Sequence, residues 1–207
     1  MKKTFLLLVA CVILAVTQGC TKYNLIDTGE ANGNHNTTMW GYFATDSYNW
    51  SLLMEMITHA EMQDYFDGGR GTNFTFFGPT NHSIRRYLLE NDLEKVTDIP
   101  KDVCRTMLLD CLLGERKFLI DFKAGRPSVD TEQIIGTGGE LLKMASGKEL
   151  WVYTFKGTFN EIPEAGPEQI YLVSEATQKR TVVASSNITT LTGVVHSLDY
   201  SFTLNDF

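Results

Sequence analysis

Thr75-Phe76-Phe77-Gly78-Pro79-Thr80-Asn81-His82-Ser83-Ile84 changes character at one point. Up to Phe77 it is β-branched and aromatic, the composition of a strand. Gly78-Pro79 stops it, because Pro79 has no N–H to donate to a sheet. Thr80 and Asn81 are helix-capping types, and Asn81 can fix the turn by bonding nearby backbone. Beyond them Ile84, Tyr87 and Leu88 recur at helical spacing. A second stretch, Thr192-Gly193-Val194-Val195-His196-Ser197-Leu198-Asp199, reads as a buried strand close to the end of the chain. Gly193 permits a bend or a close approach where that strand begins. His196 lies among Val194, Val195 and Leu198, a setting that favours a hydrogen-bonded core histidine over a ligand or a base. Asp199 is placed to anchor a turn or strand end.

The rest of the chain divides around these stretches. Leu52, Leu53, Met56, Ile57 and Ala60 fall on one helical face, with Asn49 or Ser51 available as its cap. Asp102–Leu113 reads as a further helix, with Val103, Met107, Leu108, Cys111 and Leu112 at core spacing and Gly114 placed to end it. Leu150–Phe155, Gln169–Ser174, Thr181–Ser185 and Val194–Phe202 read as strands. Helices first and strands later predict an α+β fold, with N-terminal helices packed on a β-sandwich-like set of strands from the C-terminal half.

Composition narrows the function. With 207 residues, 43% hydrophobic and 21% charged, the chain can bury one sizeable core. Its net charge is −7, and its basic runs stop at Arg85-Arg86 and Lys179-Arg180. That excludes the cationic surface that nucleic-acid binding needs. Lys2 and Lys3 precede an apolar stretch, Phe5–Val16, that is shorter than the roughly 20 residues of a membrane span and suits a signal peptide. Gly19-Cys20 then resembles a bacterial lipoprotein signal, although Thr17 stands where that pattern prefers Leu. Cys11, in Leu8-Val9-Ala10-Cys11, fits the local pattern better but leaves a shorter apolar core, and plain cleavage near Gly19 is the third option. The expected organisation is a signal peptide at 1–19, a lipidated (palmitate-type) tether at 20–38 with Cys20 as the anchor, and one domain at 39–207. The tether is rich in Asn, Gly and Thr, which suits a flexible spacer.

Motifs for chemistry are sparse. His35, His59, His82 and His196 lack the spacing of a helical zinc motif, and Cys104 and Cys111 form no Cys-x-x-Cys pair. Seven positions apart on one helix, those cysteines stand too far apart for a disulfide and are expected to stay thiols. Gly136-Thr137-Gly138-Gly139 lacks the Lys-Ser/Thr of a phosphate loop and reads as a turn. No Gly-x-Ser-x-Gly nucleophile elbow occurs. No cofactor, metal or catalytic residue is therefore expected.

The two opening stretches together resemble the two signatures of the fasciclin domain. The first is a strand, a small residue, Pro-Thr-Asn and a helix. The second is Asn-Gly, two aliphatics, His, any residue, an aliphatic and Asp, with Thr192 here in the Asn place. The resemblance covers Met39 to Phe207, and its structural signature residues here are Phe77, Pro79, Thr80, Asn81, Gly193, His196 and Asp199. It implies that the strand ending at Phe77 lies beside the strand through Val194–Leu198. Many fasciclin domains also carry a Tyr-His pair linked to integrin binding; here Asp110 and Cys111 stand in its place, so adhesion argued from that pair has no support. Gly136–Pro167 is longer than a minimal fasciclin domain needs. The lipoprotein-like signal, with Thr21 after Cys20 where Asp marks inner-membrane retention, implies a lipid anchor in the Gram-negative outer membrane, in either leaflet, and with the domain it resembles a bacterial, Bacteroidetes-like fasciclin-domain lipoprotein. Its expected role is a non-enzymatic adhesion or binding module for a cell-surface protein or polysaccharide. The alternative is an accessory protein or enzyme of outer-membrane glycan capture. Trp40, Trp50 and Trp151 are the aromatic residues to follow.

Overall fold

The computed structural model describes residues 33–130 and 133–207. The expected signal peptide, Cys20 and most of the tether lie outside the described residues. Gly33–Thr38, read from sequence as tether, instead belong to the domain. His35 N–H donates to the Thr189 carbonyl (2.8 Å), Thr189 N–H to the Gly33 carbonyl (2.6 Å) and Leu191 N–H to the Thr37 carbonyl (2.8 Å). A segment without apolar periodicity is held here by backbone alone, which composition does not reveal.

Helices lead. α1 is Met39–Thr45, α2 Ser47–His59 and α3 Gln63–Phe66. Strand β1, Phe74–Gly78, is followed by α4, Asn81–Glu90, and α5, Lys101–Asp110. Strands follow: β2 (Leu112–Leu113), β3 (Gly125–Arg126), β4 (Thr137–Gly138), β5 (Glu140–Lys143), β6 (Glu149–Lys156), β7 (Glu168–Ser174), β8 (Lys179–Thr190) and β9 (Gly193–Leu198). The fold is α+β, as the order of patterns predicts. Seven strands form one sheet in the order β2-β1-β9-β8-β7-β6-β5, while β3 and β4 make a separate ribbon. All neighbours are antiparallel except β1 and β9, which run parallel.

The sheet coils on itself because of β8. Its first part pairs with β7 (Thr181↔Leu172, Val182↔Tyr171) and its remainder with β9. Register shifts at Val183/Ser185 and Ser185/Ile188 lie between, and such bulges bend a strand and sharpen its twist. The two outer strands then approach: Ala145 N–H, just beyond β5, donates to the Leu112 carbonyl of β2 at 2.7 Å. The result is closer to a barrel than to the two layers of a sandwich.

Residues from every main helix meet one face of the sheet. Phe43, Trp50, Leu53, Phe66, Ile84 and Leu108 share a single core with Phe76, Val152, Leu172 and Val195. Alternation along β6 sends Leu150 and Val152 to that core, and Trp151 and Tyr153 to a smaller cluster on the other face. There Trp151 stacks on Tyr153 (4.3 Å between ring centres) and Tyr153 on Tyr171 (5.1 Å). Trp151 Nε1–H donates to the Gly138 carbonyl at 2.9 Å, which ties 134–138 over the stack. The first part of Gly136–Pro167, up to Lys156, builds β5, β6 and much of this second cluster, while 157–167 is mostly exposed.

Several boundaries differ from the sequence reading. The cap of α2 is Asp46, whose Oδ1 accepts from Asn49 N–H (3.2 Å) and whose Oδ2 accepts from Asn49 Nδ2–H (2.6 Å). The helix begun at Lys101 stops at Asp110 rather than Leu113, because Leu112 and Leu113 pair with β1 (Phe76↔Leu112, Thr75↔Leu113). Two buried leucines satisfy a helix face and a strand equally well, and the free edge of β1 decides between them. β8 runs on past Ser185 to Thr190, through Asn187 at φ 63°. β9 stops at Leu198 rather than Phe202, because Asp199 turns the chain: its Oδ1 accepts from Ser201 N–H (2.8 Å) and its carbonyl from Phe202 N–H (3.1 Å).

Candidate binding cleft

β1 and β9 lie side by side from Phe74↔Gly193 to Gly78↔Ser197. Parallel strands deliver their C-terminal ends to the same edge. The segments that follow, Pro79–His82 and Leu198–Tyr200, therefore open on one cleft of about 280 Å³. The start of α2 and the bulged part of β8 complete it through Asp46, Trp50, Ser185 and Ile188, with Tyr42 of α1 beside them. Gly78 lets Trp50 close the floor: a Cβ there would lie 3.0 Å from the indole. Tyr42 packs near Trp50 (6.0 Å between rings). Tyr42 lines the cleft, and burial raises the pKa of its phenol. Tyr200 is 68% exposed at the rim, and His82, exposed, meets Tyr48 edge-on at 6.2 Å.

The signature residues divide between this cleft and the scaffold behind it. Thr80 and Asp199 line the cleft. Phe77, Asn81, Gly193 and His196 hold the scaffold, and Pro79 is buried at the strand end. Asn81 does not fix its own turn. It reaches back to α2, where its Nδ2 donates to the Tyr48 carbonyl (2.7 Å), the Ser47 carbonyl (3.1 Å) and Ser51 Oγ (2.9 Å), and its Oδ1 accepts from Leu52 N–H (2.8 Å). Neither expected capping residue, Thr80 or Asn81, makes a side-chain cap bond to α4.

His196 is fully buried and stands away from the cleft. Its Nδ1 accepts from Asn187 N–H at 3.3 Å, so the ring proton sits on Nε2 and is donated to the Lys117 carbonyl at 3.0 Å. Phe77 stacks on the ring at 5.6 Å and Phe122 meets it edge-on at 5.7 Å. Burial lowers its pKa to about 4, against the pull of the Lys117 carbonyl. The ring is therefore neutral at physiological pH and bonded on both nitrogens.

Asp110 and Cys111 are both buried. Lys148 Nζ donates to Asp110 Oδ2 at 2.9 Å, and burial pushes the Cys111 thiol up. The Asp110–Lys148 pair ties the end of α5 to the β5–β6 turn, and Cys111 packs in the core. Cys104 and Cys111 are both free.

Two threonines and one ion pair make further bonds that brace this scaffold. Thr75 Oγ1 donates to the Glu115 carbonyl (2.7 Å) and accepts from Lys117 N–H (2.8 Å). Thr192 Oγ1 accepts from Met39 N–H (2.9 Å) and donates to the Phe66 carbonyl (3.2 Å), joining α1 and α3 to the β8–β9 turn. Lys117 and Glu140, both largely buried, pair at 2.9 Å. Threonine and lysine of this kind look like ordinary surface in a linear reading. Among the described residues no cluster of three or more His, Cys, Asp or Glu could hold a metal, and no helix is long and apolar enough to cross a membrane.

No protein-family model matches the chain, and no curated protein matches it. Among solved structures it is similar to a fasciclin (FAS1) domain pair from the insect cell adhesion molecule fasciclin I, with a TM-score of 0.53 and 16% identity. The match covers 79% of this chain and 50% of that one, so the chain spans half the length of the pair. At that identity the likeness is one of architecture: the chain has an α+β, fasciclin-like fold.

Proposed function

We propose that the protein is a cell-envelope lipoprotein whose fasciclin-like domain is a non-enzymatic binding or adhesion module. One observation carries the reading: both signature strands lead into a single open, aromatic-bordered cleft, on a fold shared with a cell adhesion molecule. Cys20 bears the lipid, and the segment after it links the domain to the outer membrane. The partner is a surface protein or polysaccharide; nucleic acid is a poor fit for a chain of charge −7.

Two experiments test this. Cys20→Ala should move the protein from the membrane fraction to the soluble fraction or leave it unprocessed, while Cys11→Ala should do neither; an unmodified residue after Gly19 in the mass spectrum of the mature N-terminus sinks the anchor. Detergent-solubilised full-length protein, screened on glycan and surface-protein arrays beside a hydrolysis assay on every hit, should bind saturably without turnover. Turnover of a bound glycan replaces this reading with the glycan-capture enzyme.

A further inference from the structure

We infer that the cleft is a site for an uncharged saccharide, an inference that rests on the binding-module reading and names its ligand class. The first observation is Thr80. It is only 8% exposed, it lines the cleft, and its Oγ1 is buried with no hydrogen-bond partner among the described residues. It sits at the N-cap of α4, where a threonine hydroxyl ordinarily accepts from the helix backbone, and here it does not. A buried hydroxyl left unpaired in a native fold calls for a partner that arrives from outside, a ligand or water.

The second observation is the chemistry around it. Ser185 and Ser197 are cross-strand partners on β8 and β9, and both line the same cleft. With Thr80 they make three cleft-lining residues whose hydroxyls can each donate and accept. Tyr42 and Tyr200 add ring surface with a polar tip, suited to a ligand that is apolar on one face and hydroxylated at its rim. Charge then selects. Asp46 and Asp199 line the cleft, and no Lys or Arg does. A uronic acid, sulfated sugar or phosphate would meet two carboxylates with no Lys or Arg to offset them, His82 being the one basic side chain of the lining. A neutral sugar instead donates hydroxyls to those acceptors. At about 280 Å³ the cleft stands just below the usual range of ligand sites, about 300–1,000 Å³, so it holds a short saccharide end or branch rather than a long polymer groove.

The test is titration calorimetry of detergent-solubilised full-length protein against neutral oligosaccharides (malto-, cello- and manno-series hexamers), with hexagalacturonate as the acidic probe. Wild type is compared with Thr80→Val, which keeps the shape and deletes the hydroxyl, and with Tyr200→Ala at the exposed rim. At least one neutral series should bind, the acidic probe should bind at least tenfold more weakly, and each variant should lose about tenfold in affinity at an unchanged melting temperature. Equal affinity for the acidic probe, no binding of any neutral saccharide, or variants that bind like wild type would each overturn the inference. If no saccharide binds but a surface protein does, the saccharide fails and the binding-module reading survives. If a bound saccharide is hydrolysed, the ligand class stands and the non-enzymatic reading fails.

Discussion

His196 and Asn81 show how a single polar side chain specifies this fold. Burial holds the His196 pKa at about 4, below its ordinary 6.5. As pH falls below 6.5 the unfolded chain takes up the proton first, so the stability contributed by the buried neutral ring is present above pH 6.5 and lost as pH falls through about 4. The full loss is about 3 kcal/mol at 1.36 kcal/mol per pK unit. Urea unfolding of wild type and His196→Gln at closely spaced pH values should show this slope only in wild type; parallel curves would mean that the ring titrates normally. His196→Ala strands the Lys117 carbonyl and the Asn187 N–H and should cost roughly 1–3 kcal/mol while leaving ligand affinity intact in the folded fraction. Loss of binding at a normal melting temperature would make His196 a functional residue. Asn81→Ala removes four bonds to α2 and leaves the Leu52 N–H and the Tyr48 carbonyl without their side-chain partner. It should cost roughly 2–3 kcal/mol in chemical denaturation, well above an ordinary cap substitution.

At the scale of elements, the decisive contact is β1 against β9. β9 lies inside the sheet, with β1 on one side and β8 on the other, so it has no free edge. Gly193 opens it at φ 153°, and a Cβ there would stand 2.0 Å from the Phe74 carbonyl oxygen and 2.7 Å from Met39 Cε. Gly193→Ala therefore strains the start of β9, separates it from β1, or both. Its cost should exceed about 3 kcal/mol, in the range of severe core defects. Thermal melting of the variant checks this, and a drop of only a degree or two would show that the two backbones can part without loss. Deleting the chain from Val194 onward should abolish cooperative unfolding, because β1 and β8 would then lose their shared neighbour.

On the scale of the whole molecule, the coiled sheet depends on bringing its two outer strands together. Beyond the Ala145–Leu112 backbone bond, Lys148 reaches across to Asp110, whose Oδ1 is buried without a partner. Lys148→Met leaves that carboxylate uncompensated and should cost roughly 1–3 kcal/mol, whereas Lys148→Met combined with Asp110→Leu should recover part of the loss. A double variant no more stable than Lys148→Met would mean that the ion pair itself, not the relief of a buried charge, holds the junction. Hydrogen exchange should report the same event as faster exchange of the Ala145 amide in the single variant.

Periodicity and punctuation alone determined the elements with one buried face: the helix through Leu53 and Ile57, the strand broken at Gly78-Pro79, and strands β6, β7 and β9. Their apolar spacing encodes the face they bury, and that pattern is local. The α+β order followed from the same patterns. Tertiary structure decided the rest. Leu112-Leu113 became a strand only because β1 offered an edge. Gly33–Thr38 joined the domain only because β8 offered backbone partners. Asn81 was legible as a turn residue, but its partners on α2 lie about thirty positions away, where no local rule reaches. Thr80, Ser185, Ser197 and Asp199 form a cleft because a parallel pairing and a bulge bring three separate stretches to one sheet end. Polar residues scattered along a chain acquire a common purpose only when the apolar ones have folded it.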